Sequence, residues 1–326
     1  EVFLEDGSSA SAIVPSGAST GKHEAFELRD LENKKYLGKS VHKALEKVNG
    51  EIAEKLIGSS IDDQEKIDRT LIELDNSKQK KRLGANAILS VSLAASKVAA
   101  ISKKISLFKS LGNKQTMPLP LMNIINGGAH ANNSLRIQEF MIRPDKAKNF
   151  SEAMRMCFLV IQNLKFLKKK NKLSTSVGDE GGFAPMINSN EKALNLIVKA
   201  ITKSGFKNGR DISICLDVAA NELFKQNKYS IHSNKYITAD KSIKLYQKII
   251  NKFKIKSIED PFAENDWNSW NKITKLTSKI QIVGDDLYVT NLERLKRGFL
   301  NNSSNAILIK LNQIGTVTET LEVIKF

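Results

Sequence analysis

The chain has 326 residues, and 51 Lys and Arg against 35 Asp and Glu give a formal net charge of +16 at pH 7. This length allows one large domain with a smaller one. Two cysteines are too few for a disulfide framework, and no signal peptide or membrane-length apolar run is visible, so we expect a cytoplasmic protein without membrane contact. The basic charge could indicate a nucleic-acid partner, but the lysines are scattered and aromatic residues make up only 6% of the chain, so we expect no direct nucleic-acid binding.

The chain opens with a predicted β-hairpin and a run of small residues. Residues 2–4 and 10–14 flank the turn-forming sequence Glu-Asp-Gly-Ser-Ser. Residues 15–21 then read Pro-Ser-Gly-Ala-Ser-Thr-Gly, which is too polar to pack and too flexible for regular structure. An ordinary surface loop would explain this run. The functional alternative is a mobile lid whose hydroxyls and backbone groups reach a ligand or metal.

Helices dominate the next hundred residues. Apolar residues recur at helical spacing over 41–56, 67–74 and 85–111, and Gly112 is placed to end the third helix. The third segment is apolar on most faces and should be buried. A hairpin followed by helices predicts a small α+β domain over residues 1–114, with a larger domain over 115–326.

Two strands are predicted at 121–125 and 137–142, joined by a loop rich in Gly and Asn that contains His130. Its loop position makes His130 a poor candidate for a core histidine. Helices follow over 151–167 and 191–204. Between them, the sequence Val-Gly-Asp-Glu-Gly-Gly-Phe-Ala-Pro places Asp179 and Glu180 among three glycines. A tight turn would explain the glycines without any chemistry. It would not explain why both acids lie in the bend, where their carboxylates could approach a ligand.

Four apolar runs of strand length then recur at 212–217, 255–259, 280–285 and 306–310, separated by polar turns and amphipathic segments such as 241–253. Apolar runs without alternation are typical of strands buried on both faces. The repeated order of strand and helix predicts a parallel (β/α) barrel.

Each of these four strands ends in a charged residue: Asp217, Glu259, Asp285 or Lys310. Strand ends of this kind point into the mouth of a barrel, where barrel enzymes carry out their chemistry. Three converging carboxylates would repel one another without a cation, and hard oxygen ligands favour Mg²⁺ or Mn²⁺ over zinc. A lysine beside such a cation could act as a base. The alternative is that each charge is a solvated residue at a strand end.

The ends of the chain are unusual. Residue 1 is Glu, and the chain stops at Phe326 within a helical pattern. A closed barrel needs more strands than those predicted here. We therefore expect a fragment of a longer protein, with an incomplete barrel and little or no turnover of its own.

Taken together, these segments resemble the enolase family, with bacterial members the most similar. The resemblance runs from end to end and is carried by eight stretches, namely residues 15–21, 126–130, 137–140, 177–185, 216–217, 257–261, 283–291 and 309–315. It implies a TIM-type barrel preceded by a small α+β domain. It also implies the glycolytic lyase reaction, the reversible dehydration of 2-phosphoglycerate to phosphoenolpyruvate.

The resemblance implies a role for each matching residue. Asp217, Glu259 and Asp285 match the ligands of a tightly held Mg²⁺. Lys310 matches the base that removes the proton from C2 of the substrate. Glu180 matches the acid that protonates the leaving hydroxyl group.

Further residues match the substrate pocket. Glu139 lies beside the acid, and His130 and Gln138 line the pocket. Ser19 lies in the lid, which contributes to a second Mg²⁺. Family members are homodimers, and some bacterial ones associate with RNA-degradation machinery.

The sequence departs from the family in two ways. Asn221 replaces a residue that is commonly Ser, with a modest expected effect. The family's opening strand and its last strands, which carry substrate-binding Ser, His, Arg and Lys residues, are absent. Two rival readings stay open: another member of the superfamily acting on a different carboxylate, and a binding protein that keeps the motifs without catalysis.

Overall fold

The computed structural model describes residues 1–17, 21–112, 116–178, 180–232 and 235–326. They form two compact units. The first unit comprises Glu1–Thr116, Tyr288–Leu295 and Leu308–Phe326, and the second comprises Met117–Leu287 and Lys296–Ile307.

The strands are short, with two to five residues each. In chain order they are β1 Val2–Phe3, β2 Ser9–Ala10, β3 Met122–Asn126, β4 Glu139–Arg143, β5 Ser213–Asp217, β6 Phe224–Lys225, β7 Lys228–Tyr229, β8 Ile255–Glu259, β9 Gln281–Gly284 and β10 Ala306–Ile307.

The α-helices include the long amphipathic segments expected from the sequence. They are α1 His42–Lys47, α2 Ala53–Leu56, α3 Gln64–Asp75, α4 Ala85–Ser102, α5 Leu107–Leu111, α6 Phe150–Lys170, α7 Asn190–Lys203, α8 Ala239–Phe253, α9 Trp267–Leu276, α10 Leu292–Leu300, α11 Leu311–Ile314 and α12 Val317–Lys325. A π-helical turn, Val48–Ile52, joins α1 to α2.

The first unit is built around helix α4. Ala87, Ile88 and Ala95 of this helix pack with Ile67 and Leu71 of α3, among other buried apolar side chains. The predicted hairpin is present as β1 and β2 but is shorter than expected. The single helix expected over 85–111 is wrong, because the chain closes α4 with left-handed Lys104 and begins α5 at Leu107.

By length and composition alone, helix α4 is long and apolar enough to cross a membrane. We had expected no apolar run of that length. The core helix of a globular unit passes the same test. Ten of its residues are buried, and it packs against α3, β2, α11 and α12 within the unit. These contacts agree with the buried helix predicted from its composition.

The C-terminal residues of the chain also belong to the first unit. The Asp68 carboxylate accepts hydrogen bonds from the Thr318 N–H at 2.8 Å and the Thr318 hydroxyl at 2.6 Å. The Lys80 ammonium pairs with Glu319 at 2.9 Å. These contacts fix α12 against the N-terminal helices. The paired residues are far apart in the sequence, so local sequence patterns do not predict the contacts.

The second unit contains a six-stranded sheet in the order β10-β9-β8-β5-β4-β3. Strands β5, β8, β9 and β10 are parallel, as the four apolar runs predicted, and β3 and β4 add to one edge in antiparallel register. The fourth predicted strand ends at Ile307, short of Lys310. Parallel strands alternating with helices confirm the predicted α/β class.

Burial explains why these segments form a parallel sheet. All five residues of β5 are buried, so this strand is covered on both faces. Helix α8 turns Ile243, Tyr246 and Ile249 inward, and the Thr238 side chain caps its N-terminus by accepting from the Lys241 N–H.

Helix α6 ends in three lysines, and one of them is not solvated. Lys168 is fully buried, and its Nζ makes no hydrogen bond within the described part of the chain. This atom lies 3.8 Å from the centroid of the Phe183 ring. Burial lowers the pKa of Lys168 from 10.5 to about 8. The attraction between the ammonium and the ring offsets only part of the cost of removing a charge from water.

We predict that Lys168→Met stabilises the protein at pH 7 by about 1–2 kcal/mol, because it removes a buried charge without a hydrogen bond. Below pH 8 Lys168 carries its proton in both the folded and unfolded states, and the cost is complete. Between pH 8 and 10.5 the unfolded state binds this proton more tightly, so raising the pH favours folding and the advantage of the variant shrinks.

Urea denaturation at pH 7 and pH 10 measures this difference. Lys169→Met, at an exposed neighbouring position, is the matched control and should change little. An unaltered protein that is more stable than Lys168→Met at pH 7 would show that the contact with Phe183 outweighs desolvation.

Candidate active site

The register of the sheet places three acids side by side. Glu139 on β4 is opposite Asp217 on β5, and Asp217 is opposite Glu259 on β8. Asp217 and Glu259 end parallel strands, so both lie at the carboxyl-terminal edge of the sheet. Asp217 is buried and Glu259 is partly buried. The structure therefore brings together two of the three predicted metal ligands on adjacent strands.

The third predicted ligand, Asp285, is held by its neighbour in space Asp260. The Asp260 carboxylate accepts the N–H of Asp285 at 3.0 Å and that of Asp286 at 2.8 Å. Oxygens of these three carboxylates lie within 4.8 Å of one another, a spacing that suits a cation. Asn221 joins this group, since its amide donates to Asp286 at 2.7 Å.

The electrostatics of this edge fit a hard divalent cation. The pKa of Asp260 is raised well above its ordinary value, first by burial and then by the negative charges on Asp286, Asp285 and Asp217. Such repulsion is relieved by a cation among the oxygens. All the donors are carboxylates, which favours Mg²⁺-type metals over zinc. The residues present therefore fit a metal cofactor.

Gln138 fixes the orientation of Asp217. Its Nε2 donates to Asp217 Oδ2 at 2.9 Å, while the Ala219 N–H donates to Asp217 Oδ1 at 2.9 Å. The Gln138 Oε1 atom is buried and makes no hydrogen bond among the described residues. Gln138 was predicted as a substrate-binding residue, and in the structure it contacts a predicted metal ligand.

His130 lies between two carboxylates that the sequence placed in one pocket. Its Nδ1 is 3.3 Å from Glu139 Oε1, and its Nε2 is 3.8 Å from Glu180 Oε1. His130 is 4% exposed, whereas about half of the Glu180 side chain is accessible. The imidazole therefore lies between a partly buried acid on one side and an accessible acid on the other.

The turn that carries Glu180 owes its shape to glycine. A Cβ atom on Gly178 would lie 2.5 Å from the amide of Asn126 and 2.5 Å from the carbonyl oxygen of His130. The Gly178 N–H donates to the Gly182 carbonyl at 2.8 Å and closes the turn. Only glycine allows this approach, which brings Glu180 near His130. Asp179 lies outside the described residues.

Lys310 lies in the first unit, between the end of β10 and the start of α11. Its N–H donates to the Thr290 hydroxyl at 2.9 Å. In the same unit Pro15, Gly17 and Gly21, from the predicted lid, line a cavity of about 360 Å³ together with Asn312. Ser19 lies outside the described residues, so its assignment stays a prediction.

Sequence reasoning missed Asp260, Asp286 and Thr290. Asp260 directly follows Glu259, and Asp286 directly follows Asp285. These acidic pairs could have indicated that both residues belong to the site. For Thr290 there was no such signal, because its role depends on a left-handed backbone conformation at φ +51°.

Comparison with known proteins identifies the family of this chain. Residues 1–111 match the family described as enolase, N-terminal domain, and residues 114–326 match the family described as enolase, C-terminal TIM barrel domain. The curated protein named enolase from Pelagibacter ubique is 71% identical over 320 residues, which cover 98% of this chain and 77% of that relative.

We predict that Asp260→Ala weakens Mg²⁺ binding by about 10- to 100-fold, because the N–H groups of Asp285 and Asp286 lose their acceptor and Asp285 loses its orientation. Calorimetric titration with Mg²⁺ measures the change. Asp211→Ala removes another buried acid of the second unit and is the matched control. An unchanged Mg²⁺ dissociation constant in folded Asp260→Ala would contradict this role.

Proposed function

Because the chain belongs to the enolase family and is a phosphopyruvate hydratase, a glycolytic lyase, we propose that it dehydrates 2-phosphoglycerate with Mg²⁺, a lysine base and a glutamic acid. In this proposal Asp217, Glu259 and Asp285 hold Mg²⁺. Lys310 is the base and Glu180 is the acid.

The single observation that carries the proposal is the shared register of Glu139, Asp217 and Glu259 across three neighbouring strands. Three acids at one edge repel one another, and a solvated surface would have allowed them to separate. Asp217 is instead buried and held by hydrogen bonds to both carboxylate oxygens. A preformed, acidic ligand set is the arrangement that a metal-assisted reaction needs.

The metal cofactor would stabilise negative charge on the substrate. When bound, Mg²⁺ would supply positive charge to the substrate carboxylate as negative charge develops there. Glu139 pairs with Asp217 across adjacent strands and lies near His130, so it adds negative charge at the same edge of the sheet. Gln138 keeps the Asp217 oxygens in place.

The chain's own residues move the protons. The neutral Lys310 amine takes the proton from C2 of 2-phosphoglycerate. The carboxylic acid of Glu180 gives a proton to the C3 hydroxyl group, the bond between C3 and oxygen breaks, and water leaves as the double bond between C2 and C3 forms. About half of the Glu180 side chain is accessible, so water can return its proton for the following turnover.

The proposal extends to the setting of the enzyme. We infer a homodimer in the cytoplasm, as the family resemblance implies, and light scattering would report the dimer. An association with RNA-degradation machinery stays a prediction. A Ser19 lid that contributes to a second Mg²⁺ is likewise proposed on resemblance alone.

Kinetic tests use this chain extended by the parts of the P. ubique relative that the match leaves uncovered, which we term the extended protein. We predict that Lys310→Ala abolishes exchange of the C2 proton of 2-phosphoglycerate with solvent. Mg²⁺ binding should be largely intact, because the metal ligands are unchanged. NMR in D₂O measures the exchange, and calorimetry measures the binding.

Lys325→Ala, at another lysine of the first unit, is the control and should exchange at the unaltered rate. Loss of Mg²⁺ binding in Lys310→Ala would undo the assignment of Lys310 as base. A folded extended protein that binds Mg²⁺ but never exchanges the C2 proton would favour a binding protein, the rival function.

A further inference from the structure

Two buried side chains hold the backbone of Lys310. The Lys310 N–H donates to Thr290 Oγ1 at 2.9 Å, and the Thr290 hydroxyl donates to Gln313 Oε1 at 2.9 Å. Thr290 is fully buried and Gln313 is 2% exposed. Lys310 lies between strand β10, which ends at Ile307, and helix α11, which begins at Leu311. Its N–H is therefore bound by the Thr290 side chain rather than by a backbone carbonyl of a strand or helix. All three residues lie in the first unit.

The backbone at Thr290 is strained. Val289 has φ +45° and Thr290 has φ +51°, and β-branched residues rarely adopt this left-handed conformation. Two consecutive residues of this kind persist only where the surroundings determine their conformation. Here the strained pair delivers the Thr290 hydroxyl to Lys310. Strained residues of this kind cluster at functional sites, so the pair indicates a functional position.

The same bridge continues to the segment that follows the predicted lid. The backbone carbonyl of Gln313 accepts the Ala25 N–H at 2.8 Å, and the side-chain Nε2 of Gln313 donates to Glu24 Oε1 at 3.5 Å. Glu24 Oε1 also accepts the Gly21 N–H at 2.8 Å. A continuous path of hydrogen bonds therefore joins Gly21, the last residue of the Ser-rich run, to the backbone of Lys310.

We propose that Thr290 and Gln313 are positioning residues that hold Lys310 in register for proton abstraction. This inference rests on the proposed role of Lys310 as base. The opposing view is that the bridge only satisfies buried polar groups. The two views differ in what happens to the chemical step when the hydroxyl is removed.

The test is Thr290→Val in the extended protein, which keeps the side-chain shape and removes the hydroxyl. A displaced base slows proton abstraction, so we expect C2 proton exchange and kcat to fall about 10- to 100-fold. KM for 2-phosphoglycerate should change by less than about threefold, because ground-state binding does not use the base. The kinetic isotope effect with C2-deuterated substrate should rise. Thr290→Ser, which restores the hydroxyl, should recover most of the rate.

Thr320→Val is the matched control, because Thr320 is a buried threonine of the same unit whose hydroxyl donates to the Thr316 carbonyl at 2.8 Å. Rates are expressed per folded molecule, measured by circular dichroism. If Thr290→Val does not fold, Gln313→Met is measured in its place, with the same expected direction. An unchanged exchange rate and isotope effect in a folded variant would overturn the proposal.

The outcome of this test is separate from that of the proposed function. Absence of C2 proton exchange in the unaltered extended protein would mean that the proposed function fails. Normal exchange in the unaltered protein and in folded Thr290→Val would mean that only the positioning role fails. Equal losses in Thr290→Val and Thr320→Val would assign the bridge a structural role and overturn the inference.

Discussion

Repulsion between carboxylates at the end of a parallel sheet is the constraint on which the rest of the site depends. Parallel strands in register necessarily bring their last residues to one edge, and here those residues include Asp217 and Glu259. Asp260 adds to the cluster and holds the Asp285 and Asp286 backbone. The protein keeps these carboxylates close and oriented, and a bound cation would relieve their repulsion. In the proposed function, a divalent cation bound at this edge would supply the positive charge that the reaction needs.

Much of this arrangement could be predicted from the sequence, because the relevant patterns are local. Apolar runs of strand length identified β5, β8 and β9, and the charged residue after each run identified the edge. The end of helix α4 could not be predicted. Apolar residues continue in helical spacing through Ile105 and Leu107, while the chain turns at Lys104, whose N–H bonds back to Ile101.

Other features depend on contacts between distant parts of the sequence. The placement of α12 beside α3 rests on Asp68 and Thr318, and no local pattern indicates that pair. Lys168 looks like one of three solvated lysines at a helix end, yet it packs against Phe183. Thr290 looks like an ordinary turn residue, yet it binds the Lys310 backbone. In each case tertiary packing, rather than propensity, decides the outcome.

The most direct test of the central claim is the formation of phosphoenolpyruvate from 2-phosphoglycerate by the extended protein, with Mg²⁺ and after its removal by a chelator. The ultraviolet absorbance of phosphoenolpyruvate reports the reaction. We predict product only when Mg²⁺ is present, and full recovery when Mg²⁺ is restored. Equal product with and without the metal, or none from a folded protein that binds Mg²⁺, would contradict it.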